Sequence, residues 1–302
     1  MQLQSGSTSP AITQRHLPGS GIWIVFTRQL RARCAVRDLI WMVILVACQH
    51  SLAVGLQFAL VPMQEYNAHS ALLAQRELTT ACVTGTLLYM PLAAVLGALA
   101  CPSESRFEET QSLLLTRLTA VDLCVGRLLA WMWPVISAIL ASCALSLMIQ
   151  VGWRPILPSS VYGYLSIGMM HIVLLTAALC FSAIALLFAI RRRPGRAPAR
   201  GLFAGVAAAT LAIGGLFLAN SIIPRMDNPA GLINSLLLIN PAVAASTSLH
   251  VDVLRLNWVY DHTESTAYPF MYPNPVASCS LFMGISLGAT GLAAIRLRNA
   301  YR

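Results

Sequence analysis

Hydrophobic residues run along this chain in long uncharged blocks, and short polar stretches separate them. Six blocks stand out, at about 39–61, 78–100, 128–151, 161–190, 201–223 and 273–295, and none contains Asp, Glu, Lys or Arg. Each is close to the roughly 20 residues that a helix needs to cross about 30 Å of hydrocarbon. Backbone groups find no water inside a bilayer, so runs of this kind are read as helices rather than open strands. The pattern therefore predicts an all-α integral membrane protein with six transmembrane helices. An even number of crossings places both termini on one side.

The polar stretches add detail. Residues 1–20 are rich in Ser, Thr, Gln, Pro and Gly and read as a disordered leader, with 21–302 as a single six-helix domain. From residue 22, Ile22, Trp23, Phe26, Leu30 and Cys34 share one side of a helical wheel, and Arg28 and Arg31 lie opposite. This predicts an N-terminal helix lying in the membrane interface; the alternative is a plain extension of the first span. The first apolar run begins near residue 39, behind a polar and basic leader, so it is expected to remain as an uncleaved anchor. Before the last span, residues 232–245 are apolar but too short to cross, and Asn240 and Pro241 interrupt them. A re-entrant or interfacial segment fits that pattern.

Charge supplies an orientation. The protein has 302 residues, 57% hydrophobic and 10% charged, with a formal net charge of +9. All 20 basic residues are arginines: sixteen fall before span one, between spans two and three, between spans four and five, or after span six, and four fall on the other side. Short loops rich in basic residues stay in the cytoplasm, so both termini are expected there, and the cluster from Arg191 to Arg200 reads as a topology anchor beside anionic lipid. The excess positive charge then needs no nucleic-acid partner. An Arg-only basic set also suggests a bacterial source, with the cytoplasmic (inner) membrane as the location.

Several chemistries drop out. Without lysine the chain has no P-loop lysine and no Schiff base, so any ATP hydrolysis belongs to another subunit. The eight cysteines are scattered without a CxxC pair and read as small apolar fillers. No catalytic constellation, metal motif or cofactor site is expected, and Asp252, Asp261, His262 and Glu264 read as a solvated outer face. His50 and His171 are the imidazoles at membrane depth; neutral rings hydrogen-bonded to Gln49, Gln57 or backbone are expected, rather than haem ligands. Gly205, Ala208, Ala209, Ala212 and Gly215 in span five form a small-residue face suited to close helix packing or dimerisation.

The stretch between spans two and three has the most internal logic. Glu104, Glu108 and Glu109 open it, with Arg106 between them, which suits a helix N-terminus. Leu113 and Leu114 begin an apolar side, and a polar break at 116–119, with Arg117 and Leu118 inside it, precedes Asp122. The third span is then expected to begin near Asp122, with Gly126 and Arg127 at its cytoplasmic edge.

This arrangement resembles the cytoplasmic loop between the second and third helices of type-2 ATP-binding-cassette permeases. Leu113, Leu114, Thr116, Leu118, Thr119, Asp122, Gly126, Arg127, Leu128 and Leu129 stand in the places of that family's Leu-Leu, Thr-Pro-Leu-Ser, acidic and Gly-Lys-Leu-Leu pattern. Glu108 and Glu109 replace its usual Gly-Thr, and Arg117 its usual Pro. The resemblance covers about 27 residues in motif and nearly the whole chain in layout. It implies that 104–118 is a coupling helix docking on a separate ATPase subunit, which would hold ATP and Mg. It further implies an exporter permease without its own ATPase site, working as a homodimer or paired permease. The reading from another class is a non-transporting membrane anchor or assembly subunit that uses the same loop as a docking surface.

Overall fold

The computed structural model describes residues 20–31, 35–60, 70–101, 118–152, 161–190, 197–219, 230–249 and 273–300. Every regular element among them is an α-helix: α1 (Ser20–Arg31), α2 (Ala35–Leu60), α3 (Ser70–Leu99), α4 (Ala120–Gly152), α5 (Val161–Ala189), α6 (Ala197–Ala219), α7 (Ala230–Ile239), α8 (Pro241–Ser248) and α9 (Pro275–Ala300).

Five helices are long and apolar enough to cross a membrane, along Arg37–Gly55, Leu78–Leu99, Ala120–Met148, Gly163–Ala189 and Pro275–Ala300. The sequence places a further span at 201–223. There the described apolar stretch is the shorter Ala199–Gly215 within α6, and a sixth crossing is reached if the bent pair α7 and α8 counts as one. The third span also starts earlier than the uncharged block at 128–151, because α4 is helical from Ala120 and carries Asp122 and Arg127 in its first two turns.

Helix α5 is the centre of the bundle, packed against α3, α4, α6, α8 and α9. Small residues permit the close approach that membrane helices use in place of a hydrophobic drive. A Cβ on Gly97 of α3 would stand 2.2 Å from the Ser182 carbonyl oxygen of α5, and one on Gly205 of α6 would stand 2.7 Å from the Ala185 Cβ. Ala209 and Ala212 are buried, and Gly215 faces Leu236 of α7. Much of the small-residue face of 205–215 is thus turned inward onto α5, α3 and α7, the close helix packing that such residues permit.

The pairings fix which helix ends lie together. Gln49 of α2 bonds to α3 at Ala81 and Tyr89, Arg296 of α9 donates to the Leu187 carbonyl of α5 at 3.0 Å, and Asn240 donates to the Ile213 carbonyl of α6 at 3.0 Å. The starts of α2, α4 and α6 therefore share one end with the finishes of α3, α5 and α9. Arg37, Arg127, Arg200, Arg296 and Arg298 all sit at that end, which is called the arginine-bearing end below.

Candidate functional site

The third span begins with a reciprocal cap. Thr119 precedes α4, and Asp122 stands three residues on. The Thr119 backbone N–H and hydroxyl donate to the Asp122 carboxylate at 3.0 and 2.7 Å, and the Asp122 N–H donates to the Thr119 hydroxyl at 3.1 Å. This capping box satisfies donors that a helix start would otherwise leave bare, and its carboxylate suits the positive end of the helix. It is the local reason that α4 starts at Ala120.

The same residues hold α1. A Cβ on Gly21 would meet the Asp122 carboxyl group at 2.6 Å, and one on Gly126 would meet Val25 Cβ at 2.7 Å and the Ile22 carbonyl oxygen at 2.9 Å. Each helix thus offers one glycine to the other, and Phe26 closes the contact edge-on against Trp133 with ring centroids 5.8 Å apart. Helix α1 packs on the start of α4, and its buried face is Val25, Phe26 and Gln29. Trp23, assigned to the apolar face from the sequence, is 64% exposed and stacks beside Phe26 at 5.3 Å. The reason is the partner: the bundle side is set by Gly126, which the wheel alone does not contain.

Arg127, one residue further on, is 4% exposed. Its positive charge acts on Cys101, which lies just past the finish of α3; burial pushes that thiol up to about 11, and Arg127 pulls against the rise. Cys101 and Leu118 both pack onto the core. The two ends of the 102–117 connection are therefore tied to α3 and to the α1–α4 pair. Glu104, Arg106, Glu108, Glu109, Leu113, Leu114 and Arg117 lie outside the described residues, as do Asp252, Asp261, His262 and Glu264. Of the segment that resembles a coupling helix, the structure describes Leu118 and the span edge Asp122, Gly126 and Arg127.

At the opposite end, α7 and α8 meet at 80°. Asn240 explains the break. Its side-chain oxygen accepts from the Ala242 and Val243 N–H groups at 3.0 and 3.2 Å, which caps α8, and Pro241 occupies the first helical position, where no N–H is needed. Its amide reaches α6 at Ile213, so the buried side chain is used on both sides. Asn274 and Pro275 repeat the device at the start of α9, where Asn274 accepts from the Val276 N–H at 2.9 Å. The sequence expectation of an interrupted helical segment before the last span agrees with this geometry.

Between the two ends lies a polar layer joining α2 to its neighbours. Gln49, fully buried, donates to the Ala81 carbonyl at 2.8 Å and accepts from the Tyr89 hydroxyl. His50 and His171 both approach the Ser142 hydroxyl at 3.4 Å, from α2 and α5, and His171 Nδ1 contacts the Ile167 carbonyl at 2.8 Å. The expected partner Gln49 is committed to α3, so it does not hold His50. Ser142 of α4 does, a residue too common in membrane helices to carry a signal in the sequence. A hydroxyl has one proton to give. With His171 Nδ1–H donating to Ile167, its Nε2 accepts from Ser142, and Ser142 accepts from His50 Nε2–H.

Among the described residues no three His, Cys, Asp or Glu side chains converge as a metal site. Comparison with protein-family models, with curated proteins and with solved structures finds no match.

Proposed function

We propose that this chain is the membrane-spanning permease subunit of an ATP-binding-cassette exporter. It moves a hydrophobic or amphipathic substrate with ATP hydrolysed by a separate subunit. In this reading α6 is the fifth of six spans, and both termini and the arginine-bearing end face the cytoplasm of a bacterial inner membrane. The 102–117 connection is then the element that docks on the ATPase, and two permease units operate together.

One observation carries the reading. The connection that resembles a coupling helix leaves and re-enters the bundle at points tied to its framework: Cys101 and Leu118 on the core, and the Thr119–Asp122 box with α1 clasped across Asp122 and Gly126. In this reading a load on that segment reaches α3 and α4 at their anchored ends. Helix α3 passes it to α5 through the Gly97–Ser182 contact, where no compressible side chain intervenes. The clasped N-terminal helix and the broken helix pair before the last span also support the layout on which the resemblance rests.

The test is co-purification. A tagged chain expressed from its own genome is expected to bring down a nucleotide-binding subunit, and Glu108→Ala with Glu109→Ala is expected to weaken that capture. Recovery of the intact chain with no ATPase partner would move the reading to a non-transporting anchor.

A further inference from the structure

Helix α2 is the least embedded of the long helices. Leu39, Ile40, Val43 and Ile44 are exposed along its first half, and the polar layer at Gln49 and His50 fastens it further along. Between that layer and the arginine-bearing end, α2 stands away from α3 and α4 and leaves a cavity of about 470 Å³. This size falls inside the roughly 300–1,000 Å³ of small-molecule sites.

The walls are graded. On α3, Leu88, Leu92 and Leu96 line the cavity at four-residue intervals, which places them in one row. That row covers about 12 Å along the helix, most of the hydrocarbon depth of one leaflet. Trp41 of α2 and Trp131 of α4 also line the cavity, and such rings are favoured where hydrocarbon gives way to headgroups. At the helix-end side stand Arg37 and Asp38. Asp38 is 8% exposed and lines the same end of the cavity as Arg37. A carboxylate taken out of water gains from a cation beside it, and the cavity that Asp38 lines has room to admit one.

We propose that this cavity holds a phospholipid whose headgroup carries both a phosphate and a primary ammonium, with its phosphate on Arg37, its ammonium on Asp38 and an acyl chain along the Leu88–Leu92–Leu96 row. Arg37 alone would accept any phospholipid. Asp38 makes the choice: a headgroup without a cation meets its negative charge, and a quaternary ammonium has no N–H to donate to it. The lipid is a resident of the fold, and the inference does not depend on ATP-driven transport.

The test is native mass spectrometry of the full chain released from nanodiscs containing equimolar phosphatidylethanolamine, phosphatidylcholine and phosphatidylglycerol. One phosphatidylethanolamine per chain is expected to be retained over the other two. Asp38→Asn is expected to lower that preference about tenfold, what one charge-assisted hydrogen bond is worth, with total phospholipid little changed. Leu92→Trp, which narrows the cavity midway along the leucine row and leaves both charges in place, is expected to reduce retention of all three. Should Asp38→Asn fail to fold, Arg37→Gln reads the phosphate contact instead and is expected to lower retention of all three lipids. Equal retention of the three by the native chain, or an unchanged preference in Asp38→Asn, would overturn the proposal.

Discussion

Asn240 does two jobs with one side chain, and substitutions separate them. Its oxygen caps α8, a contribution of about 1 kcal/mol at an N-cap. Its amide reaches the Ile213 carbonyl of α6, and a hydrogen bond between membrane helices averages about 0.6 kcal/mol. Asn240→Ala removes both, for a loss of about 1.6 kcal/mol. At roughly 2–4 °C per kcal/mol for a chain of this size class, its thermal midpoint in detergent is expected to fall by roughly 3–6 °C. Asn240→Ser keeps an oxygen for the cap and is too short to reach α6, so it is expected to lose roughly 1–2 °C. The ordering is the test, read by tryptophan fluorescence or by a thiol-reactive dye during heating. Equal shifts for Ser and Ala, or an Ala shift under about 1 °C, would show that the α7–α8 break is held by something other than this cap.

Two further outcomes follow from the packing and from the charge at the arginine-bearing end. Gly97→Ala puts a methyl where the Ser182 backbone already lies 2.2 Å away, so a loss of about 1–3 kcal/mol in thermal or denaturant unfolding is expected. Gly284→Ala, with nothing within 4 Å, serves as the control and is expected to lose nothing. In a chain whose sole cysteine is Cys101, alkylation is expected to keep rising toward pH 11, beyond the ordinary thiol range, because burial favours the neutral thiol. Its folded-state pKa is raised, so the associated stability is present below about pH 9 and is lost as pH climbs from there toward 11. Arg127→Gln is expected to move the alkylation curve higher still; a shift downward would contradict the electrostatic account.

The spans were legible because they obey one rule, the uncharged apolar run. The blocks at 39–61, 78–100, 161–190 and 273–295 match α2, the apolar part of α3, α5 and α9 to within a few residues. The uncharged run alone begins α4 too late, at 128, because Asp122 and Arg127 carry charge inside a helix; the start near Asp122 was legible from the polar break before it. Asp122 is spent on a cap and Arg127 is buried beside the finish of α3, arrangements that depend on neighbours absent from the local sequence. The Asn-Pro break before the last span was legible for the opposite reason: an N-cap followed by proline is a local device.

What a side chain touches across helices was not legible. Ser142 drew His50 and His171 together, Gly126 chose the buried side of α1, and α3, α5 and α7 claimed the small face of α6. The cavity beside α2 is a shape formed between three helices, α2, α3 and α4, and no local pattern in the sequence carried it. The reading of 104–117 as an ATPase-docking element rests on its sequence pattern and on the fixed points that flank it.

The most direct measurement is the ATP hydrolysis rate of this chain co-expressed with its nucleotide-binding subunit and purified as an assembly, native against Glu108→Ala with Glu109→Ala. The account predicts an assembly that hydrolyses ATP, with both assembly and turnover weakened in the double variant. Native turnover in that variant would contradict the docking role of 104–118, and failure of the native chain to assemble with any ATPase would contradict the transporter reading itself.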